Sequence, residues 1–307
     1  MTNILFRADS SSTLGTGHIM RDLVLASKYK DAKIIFATQE LEGNINHKII
    51  EASYKVEILK TNSLEELSKI IKKYNIDLVI IDHYGIDYNY EKELKKQTSV
   101  KILSFDDTYE KHYCDILLNH NISANAKRYK NLVPEQCKLR CGSKYTLLRD
   151  EFLKEKKKKR KKTNSKNKTI FLAMGGADHS NINIDIIKVL EQFDNLKVNL
   201  VTTTANKNLK ELEKYVKNKK WINLHINSNE IAKLMRESDA AIITPSVSAN
   251  EVHFMGIPFI AVQTADNQED MYKYLKKKNF LTLKEFKNTK MKKYVEFLLN
   301  IDKKNAQ

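Results

Sequence analysis

The chain has 307 residues, 41% of them hydrophobic and 30% charged, which is enough apolar material for two cored domains. No stretch approaches the roughly 20 apolar residues that a membrane span requires. The net charge of +16 invites a nucleic-acid reading, yet Lys154–Lys162 alone, "KEKKKKRKK", holds eight basic residues and one acid. A like-charge block of that kind reads as a solvated linker, and no nucleic-acid-binding module accompanies it, so no nucleic-acid partner is expected. Three cysteines, Cys114, Cys137 and Cys141, are an odd number for a disulfide framework and complete no zinc site; they read as reduced structural thiols. The N-terminus enters "NILF" without a basic segment and apolar leader, so a cytoplasmic location is expected.

In chain order, "NILF", "AKIIFA", "YKVEIL", "IDLVIID" and "VKILSFD" read as buried strands, and amphipathic stretches such as "HIMRDLVLASKY" and "SLEELSKIIKKY" alternate with them. The grammar repeats after the basic block. The strands there are "KTIFLAMGG", "LKVNLVT", "INLHI", "AAIIT" and "PFIAVQ", and the tail beyond Phe280 reads as a helix. Apolar strands separated by helices predict parallel sheets covered on both faces. The expected fold is α/β: two Rossmann-like, doubly wound domains facing a cleft, over residues 1–153 and 169–307, with a basic linker at 154–168.

Ligands in such sheets bind beyond the carboxyl ends of the strands. At those ends the sequence places Asp9 and the loop "GTGHIM" after the first strand, then Asp82, His83 and Tyr84 in "DHYG", then Asp106 and Asp107. In the second half come Gly175, Gly176, Ala177 and Asp178 in "MGGAD". Ser246, Ser248, Asn250 and Glu251 follow in "TPSVSANE", then Asn267 and Gln268 in "DNQ". A Gly-Gly pair before a helix lets backbone N–H groups approach an anion, and small hydroxyl residues at a helix start either bond phosphate or cap the helix. Neither loop is a Walker A motif or a dinucleotide fingerprint, which disfavours NAD. His18 stands where the glycine loop, with Gly17, becomes a helix. The partial positive charge of a helix start disfavours an imidazolium, and a general base needs the neutral ring. The alternative is a packed or capping histidine. Asp9 and Asp82 are both candidates to orient it.

The segments "FRADSSSTLGTGHIMRDLVLA", "IIDHYGID", "LSFDD", "CDILLN", "CGSKYTLLRDEF", "MGGAD" and "NEIAKLMRESDAAI" occur in an order that resembles the PseG family, hydrolases of UDP-2,4-diacetamido-2,4,6-trideoxy-β-L-altropyranose in pseudaminic acid biosynthesis. That family in turn resembles MurG-like glycosyltransferases of the GT-B fold. The resemblance implies a UDP-sugar substrate held with UDP mainly on the C-terminal half. His18 would activate water for inverting attack at the anomeric carbon. Asp9, Gly17, Asp82, Tyr84 and Asn267 would lie near the sugar. Arg149 of "YTLLRDEF" would face the diphosphate, with Gly175, Gly176, Asp178, Ser246, Ser248, Asn250, Glu251 and Gln268 about the nucleotide. No metal or cofactor is implied, and a monomer is favoured. Where many relatives are glycine-rich, this chain has "ITPSVSANE", in which Pro245 has a fixed φ. Two rivals follow: a GT-B glycosyltransferase with an acceptor other than water, and a catalytically inert sugar-nucleotide binder.

Overall fold

The structure is a computed structural model that describes residues 1–158, 167–176, 178 and 180–300. The chain divides into two compact units, Met1–Leu148 and Arg149–Gln307.

The first unit is built on a seven-stranded, all-parallel sheet. Its strands are β1 (Thr2–Ala8), β2 (Ala32–Gln39), β3 (Lys55–Leu59), β4 (Leu78–Asp82), β5 (Lys101–Phe105), β6 (Ile116–Asn119) and β7 (Lys138–Cys141), in the order β3-β2-β1-β4-β5-β6-β7. The helices between them are α1 (Gly17–Ala26), α2 (Asn46–Glu51), α3 (Leu64–Tyr74) and α4 (Tyr88–Thr98). Strand periodicity sorts the apolar residues into two layers. Leu5, Ile35, Val79, Ile81 and Ile102 pack under Leu67, Ile70 and Ile71 of α3 and Leu94 of α4. Ile4, Phe6, Ile34, Phe36, Ile80 and Leu103 face the other way, against Ile19, Leu25 and Ala26 of α1. Burial on both faces is why these strands read as continuous apolar runs. Ser63 and Asp87 cap α3 and α4 by accepting from Glu66 N and Tyr90 N.

The second unit opens with α5 (Asp150–Lys157) and carries a six-stranded parallel sheet. Its strands are β8 (Lys168–Ala173), β9 (Leu196–Thr202), β10 (Ile222–Ile226), β11 (Ala240–Ile243), β12 (Phe259–Val262) and β13 (Leu281–Leu283), ordered β10-β9-β8-β11-β12-β13. Its other helices are α6 (Asn183–Leu190), α7 (Leu209–Val216), α8 (Ile231–Arg236), α9 (Val247–Met255), α10 (Glu269–Lys277) and α11 (Asn288–Asn300).

Three expectations are corrected. The division falls after Leu148, not after residue 153, because α5 belongs to the second unit. There Phe152 is fully buried, and Glu155 accepts from Arg236 Nε of α8 at 2.6 Å. The first residues of the expected linker, Lys154–Lys157, are therefore helical; residues 159–166 of it lie outside the described residues. The tail after Phe280 is not helix throughout: Leu281–Leu283 form the edge strand β13 before α11 begins.

Candidate active site

In both sheets the strand order reverses direction once, between β1 and β4 in the first unit and between β8 and β11 in the second. A doubly wound sheet binds its ligands at the carboxyl edge of that switch point, where the loops leave in opposite directions. His18 opens the helix after β1, Asp82 ends β4, and the loop after β4 carries Tyr84.

These residues form a closed circuit. His18 Nδ1 lies 2.7 Å from Asp82 Oδ1. Arg21, one helical turn beyond His18, grips the same carboxylate with Nε and Nη2 at 2.5 Å each and reaches Asp107 Oδ2 with Nη1 at 3.1 Å. Tyr84 donates its hydroxyl to the other oxygen of Asp107 at 3.0 Å, and its ring stands edge-on to His18 with centroids 4.9 Å apart. Asp82 is almost wholly buried; burial alone would raise its carboxyl, but Arg21 and His18 outweigh it and hold it well below the usual carboxylate range. Being ionised, Asp82 only accepts, so Nδ1 carries the ring proton and donates it. Nε2, left as an acceptor, bonds to no described residue.

Two other histidines stand on this edge, and neither is available. His83 accepts from Gly85 N at Nδ1 (2.9 Å), which puts its proton on Nε2, donated to Asp9 Oδ2 at 3.0 Å. His120, just past β6, is 1% exposed; burial, and then the charge of Arg21, pull it down to about 3, so it stays neutral beneath the surface.

Asp22, the next residue on α1, is fully buried with both carboxylate oxygens unpartnered. Burial and the neighbouring Asp82 push its carboxyl well above the usual range, against the pull of Arg21. A carboxyl raised in the folded state favours folding at low pH and loses that contribution as pH climbs from the unfolded value of about 4 towards the folded one. Across that window the loss is roughly 1.4 kcal/mol per pH unit for a single proton. Asp22→Asn removes it, so the variant is expected to gain stability over the wild type as pH rises from 5 to 8, read by urea unfolding; an unchanged difference would mean that Asp22 is ionised in the fold.

In the second unit, Gly175 has φ +79°, a conformation other residues rarely adopt, and a Cβ on Gly176 would meet Thr203 Cγ2 at 2.9 Å. The Gly176 carbonyl accepts from Thr203 N and Oγ1 and from Thr202 Oγ1, locking this turn against the end of β9. Across the switch point, Ser246 occupies the N-cap of α9 without its side chain capping it; its hydroxyl pairs with Thr244 Oγ1 at 2.9 Å. The Ser246 hydroxyl thus claims no first-turn N–H of α9, while its carbonyl accepts from Ala249 N at 2.9 Å. Within the same unit Arg149 Nη2 lies 3.2 Å from Glu251 Oε1, and Nη1 lies 2.6 Å from Glu151.

No family model matches the chain. Over 277 residues it is 43% identical to the UDP-2,4-diacetamido-2,4,6-trideoxy-beta-L-altropyranose hydrolase of Campylobacter jejuni, covering 90% of this chain and 97% of that one. The chain belongs to that hydrolase family. A Methanocaldococcus jannaschii protein of uncharacterised function is 32% identical over 88% of this chain and 57% of its own longer length. The spore coat polysaccharide biosynthesis protein SpsG of Bacillus subtilis is 24% identical over 85% of this chain and 77% of that one. Among solved structures, the MurG of Acinetobacter baumannii superposes with TM-score 0.65 over 98% of this chain and 91% of its own, at 11% identity. The Anabaena protein HepE, solved with UDP and glucose, gives 0.63 over 100% and 92%, also at 11% identity. Those likenesses show the two-domain glycosyltransferase fold of the GT-B class that the hydrolase family shares.

Set on this member of the hydrolase family, the site residues expected from sequence divide. Of the two carboxylates offered to His18, Asp82 takes it, as a buried partner of both His18 and Arg21. Asp9, expected near the sugar, pairs elsewhere: it accepts Arg7 Nη1 and Nη2 at 2.7 and 2.8 Å, Gln39 N at 2.7 Å and His83 at 3.0 Å, and is 2% exposed. The reason is Arg7, which β1 points into the protein interior with no exposure and which requires a buried counter-charge. Asp178, expected about the nucleotide, is engaged at the start of α6. Its buried carboxylate accepts from Asn183 Nδ2 at 2.7 Å and faces Ile182 N and Asn183 N, at the start of α6. Gln268 folds back to accept from Thr264 N at 2.9 Å, whereas Asn267 beside it is exposed. Gly17 begins α1 with open space around it, Ser248 is half-buried, and Asn250 is buried within α9. Ala177 lies outside the described residues. Arg21 and Asp107 were not singled out for the circuit. The signal was present, since His18 and Arg21 are three apart on one helix face and "FDD" ends the strand next to Asp82's.

Proposed function

We propose that this chain hydrolyses UDP-2,4-diacetamido-2,4,6-trideoxy-β-L-altropyranose, releasing UDP and the free sugar for pseudaminic acid biosynthesis, with His18 as the general base. The observation that carries the base is the pairing of His18 Nδ1 with ionised Asp82, which leaves Nε2 as an acceptor that no described residue occupies. Nε2 takes a proton from water as the water oxygen attacks the anomeric carbon on the face opposite UDP. The C–O bond to UDP breaks, and the sugar leaves with inverted configuration. The positive charge gained by His18 is balanced by Asp82, whose own position is set by Arg21.

Tyr84 and Asn267 are the side chains assigned to the sugar. Tyr84 is 58% exposed while its hydroxyl is steadied by Asp107. UDP is assigned to the second unit, at the Gly175–Gly176 turn and the start of α9 with Ser246, Ser248 and Asn250, where backbone N–H groups and the helix dipole favour a diphosphate. Glu251 is assigned to the ribose hydroxyls. Arg149 is assigned to the leaving diphosphate, exchanging a carboxylate for phosphate oxygens of matching geometry. A cytoplasmic, monomeric enzyme is proposed; no helix among the described residues is long and apolar enough to cross a membrane.

Acceptor-free incubation with the UDP-linked diacetamido sugar and EDTA, followed by NMR, tests the reading. UDP should appear together with the free sugar as the inverted anomer. UDP released only after addition of a sugar acceptor would make the chain a glycosyltransferase, the chemistry of its structural neighbours. Loss of turnover in EDTA would overturn the metal-independent step.

A further inference from the structure

We infer that Cys114 and Cys137 form a peroxide-sensitive thiol pair, an oxidation site at the edge of the first sheet opposite His18. The pairing is set by strand register. β6 and β7 run parallel with Ile116 beside Lys138, and Lys138 N donates to the carbonyl of Asp115 at 2.9 Å. This places Cys114 and Cys137 as diagonal neighbours where both strands begin, with their sulfurs 3.7 Å apart. Residues so placed on adjacent strands lie within the Cα separation that a disulfide spans. Closing the gap therefore needs side-chain rotation and a small backbone adjustment rather than rearrangement of the sheet.

The two thiols are unequal in the way such a pair requires. Cys114 is 3% exposed in the apolar core, and its hydrogen bond to Cys137, together with burial, raises its thiol far above the ordinary range. Cys137 is half-buried and lines an open cavity of about 520 Å³ with Tyr129, Lys130 and Pro134; the S–H of Cys114 holds its thiol down. Cys141, four residues on in β7, is driven up to about 11 by burial and is the poorer nucleophile. Sequence spacing alone singles out Cys137 and Cys141; the fold instead pairs Cys137 with a residue 23 positions earlier.

The chemistry closes with hydrogen peroxide as oxidant. The Cys137 thiolate attacks one peroxide oxygen; the S–O bond forms, the O–O bond breaks, and the departing oxygen leaves as water after taking a proton. The Cys114 sulfur then attacks the Cys137 sulfenic acid. The S–S bond forms, and the hydroxyl leaves with the Cys114 proton as a second water. The product ties β6 to β7 at their starts.

Native protein treated with dilute hydrogen peroxide should lose two of its three thiols, and a non-reducing peptide map should join Cys114 to Cys137. Cys141→Ser should leave that link intact. Cys114→Ser should instead stop at a Cys137 sulfenic acid trapped by dimedone. Should the Cys114 variant fail to fold, Cys137→Ser serves in its place and should leave Cys114 reduced under the same treatment. Three intact thiols after treatment, or a link through Cys141 or between molecules, would overturn the proposal.

Discussion

Replacing His18 with Ala is expected to lower kcat by about 10²- to 10⁴-fold, the usual contribution of a positioned general base. UDP affinity, read by calorimetry, should be nearly unchanged, because the nucleotide is assigned to the second unit. The geometry makes this the sharpest test of the site. Of the three histidines at the carboxyl edge of the first sheet, His83 spends both nitrogens on Gly85 and Asp9, and His120 is sealed. Loss of His18 therefore has no ready substitute. His18→Asn should behave alike, since its amide fills part of the ring's volume without supplying a base. Turnover retained in either variant would remove His18 from the chemistry.

The second large effect is expected at Asp82. Asp82→Asn keeps the size of the side chain and some of the hydrogen bonds to Arg21, but it can turn an N–H donor towards His18 Nδ1. The ring would then carry its proton on Nε2, where a base must be unprotonated. A wrongly set tautomer of this kind costs roughly 10⁴-fold in kcat in a well-studied hydrolase triad. KM should hardly move, because Asp82 is 2% exposed and its oxygens are used by His18 and Arg21. A rise in KM with kcat preserved would instead make Asp82 a sugar ligand. Asp82→Ala should in addition destabilise the fold by about 3–5 kcal/mol, because it strips Arg21 of its principal buried counter-charge; chemical denaturation at pH 7 measures this.

Family and site stand on different footing. Identity of 43% across 97% of the Campylobacter jejuni hydrolase establishes the family. The circuit through His18, Asp82, Arg21, Asp107 and Tyr84 comes from the geometry of this chain. Within it Asp82 is buried and Arg21 half-buried, both spent on holding His18, whereas Tyr84, and Asn267 in the second unit, are exposed.

The sequence by itself determined the fold class. Runs such as "LVIID" and "AAII" are apolar at every position because both faces of their strands are covered, and that signature needs no tertiary knowledge. It also located the loops at the carboxyl ends of the strands, because in a parallel sheet polar and glycine residues collect there whichever strands become neighbours. Three strands were not legible: β6 (ILLN), β7 (KLRC) and β13 (LTL) break a three- or four-residue run with a polar side chain, whereas the equally short β11 and β12 are apolar at every position. The division at Leu148 was hidden for another reason. Charge composition marks Lys154–Lys162, but α5 is held by Phe152 and Glu155, whose partners lie some 80 residues on in the case of Arg236.

Only the tertiary structure chose between Asp9 and Asp82. Both end strands beside the same loop, and nothing local separates them. The choice follows from side-chain direction and charge balance: Arg7 is turned inward from β1 and draws Asp9 to itself, while Arg21 on α1 clamps Asp82 beside His18. Pairings between residues 64 and 86 positions apart, His18 with Asp82 and Arg21 with Asp107, depend on which strands sit side by side. Sheet order, a property of the whole chain, decides that.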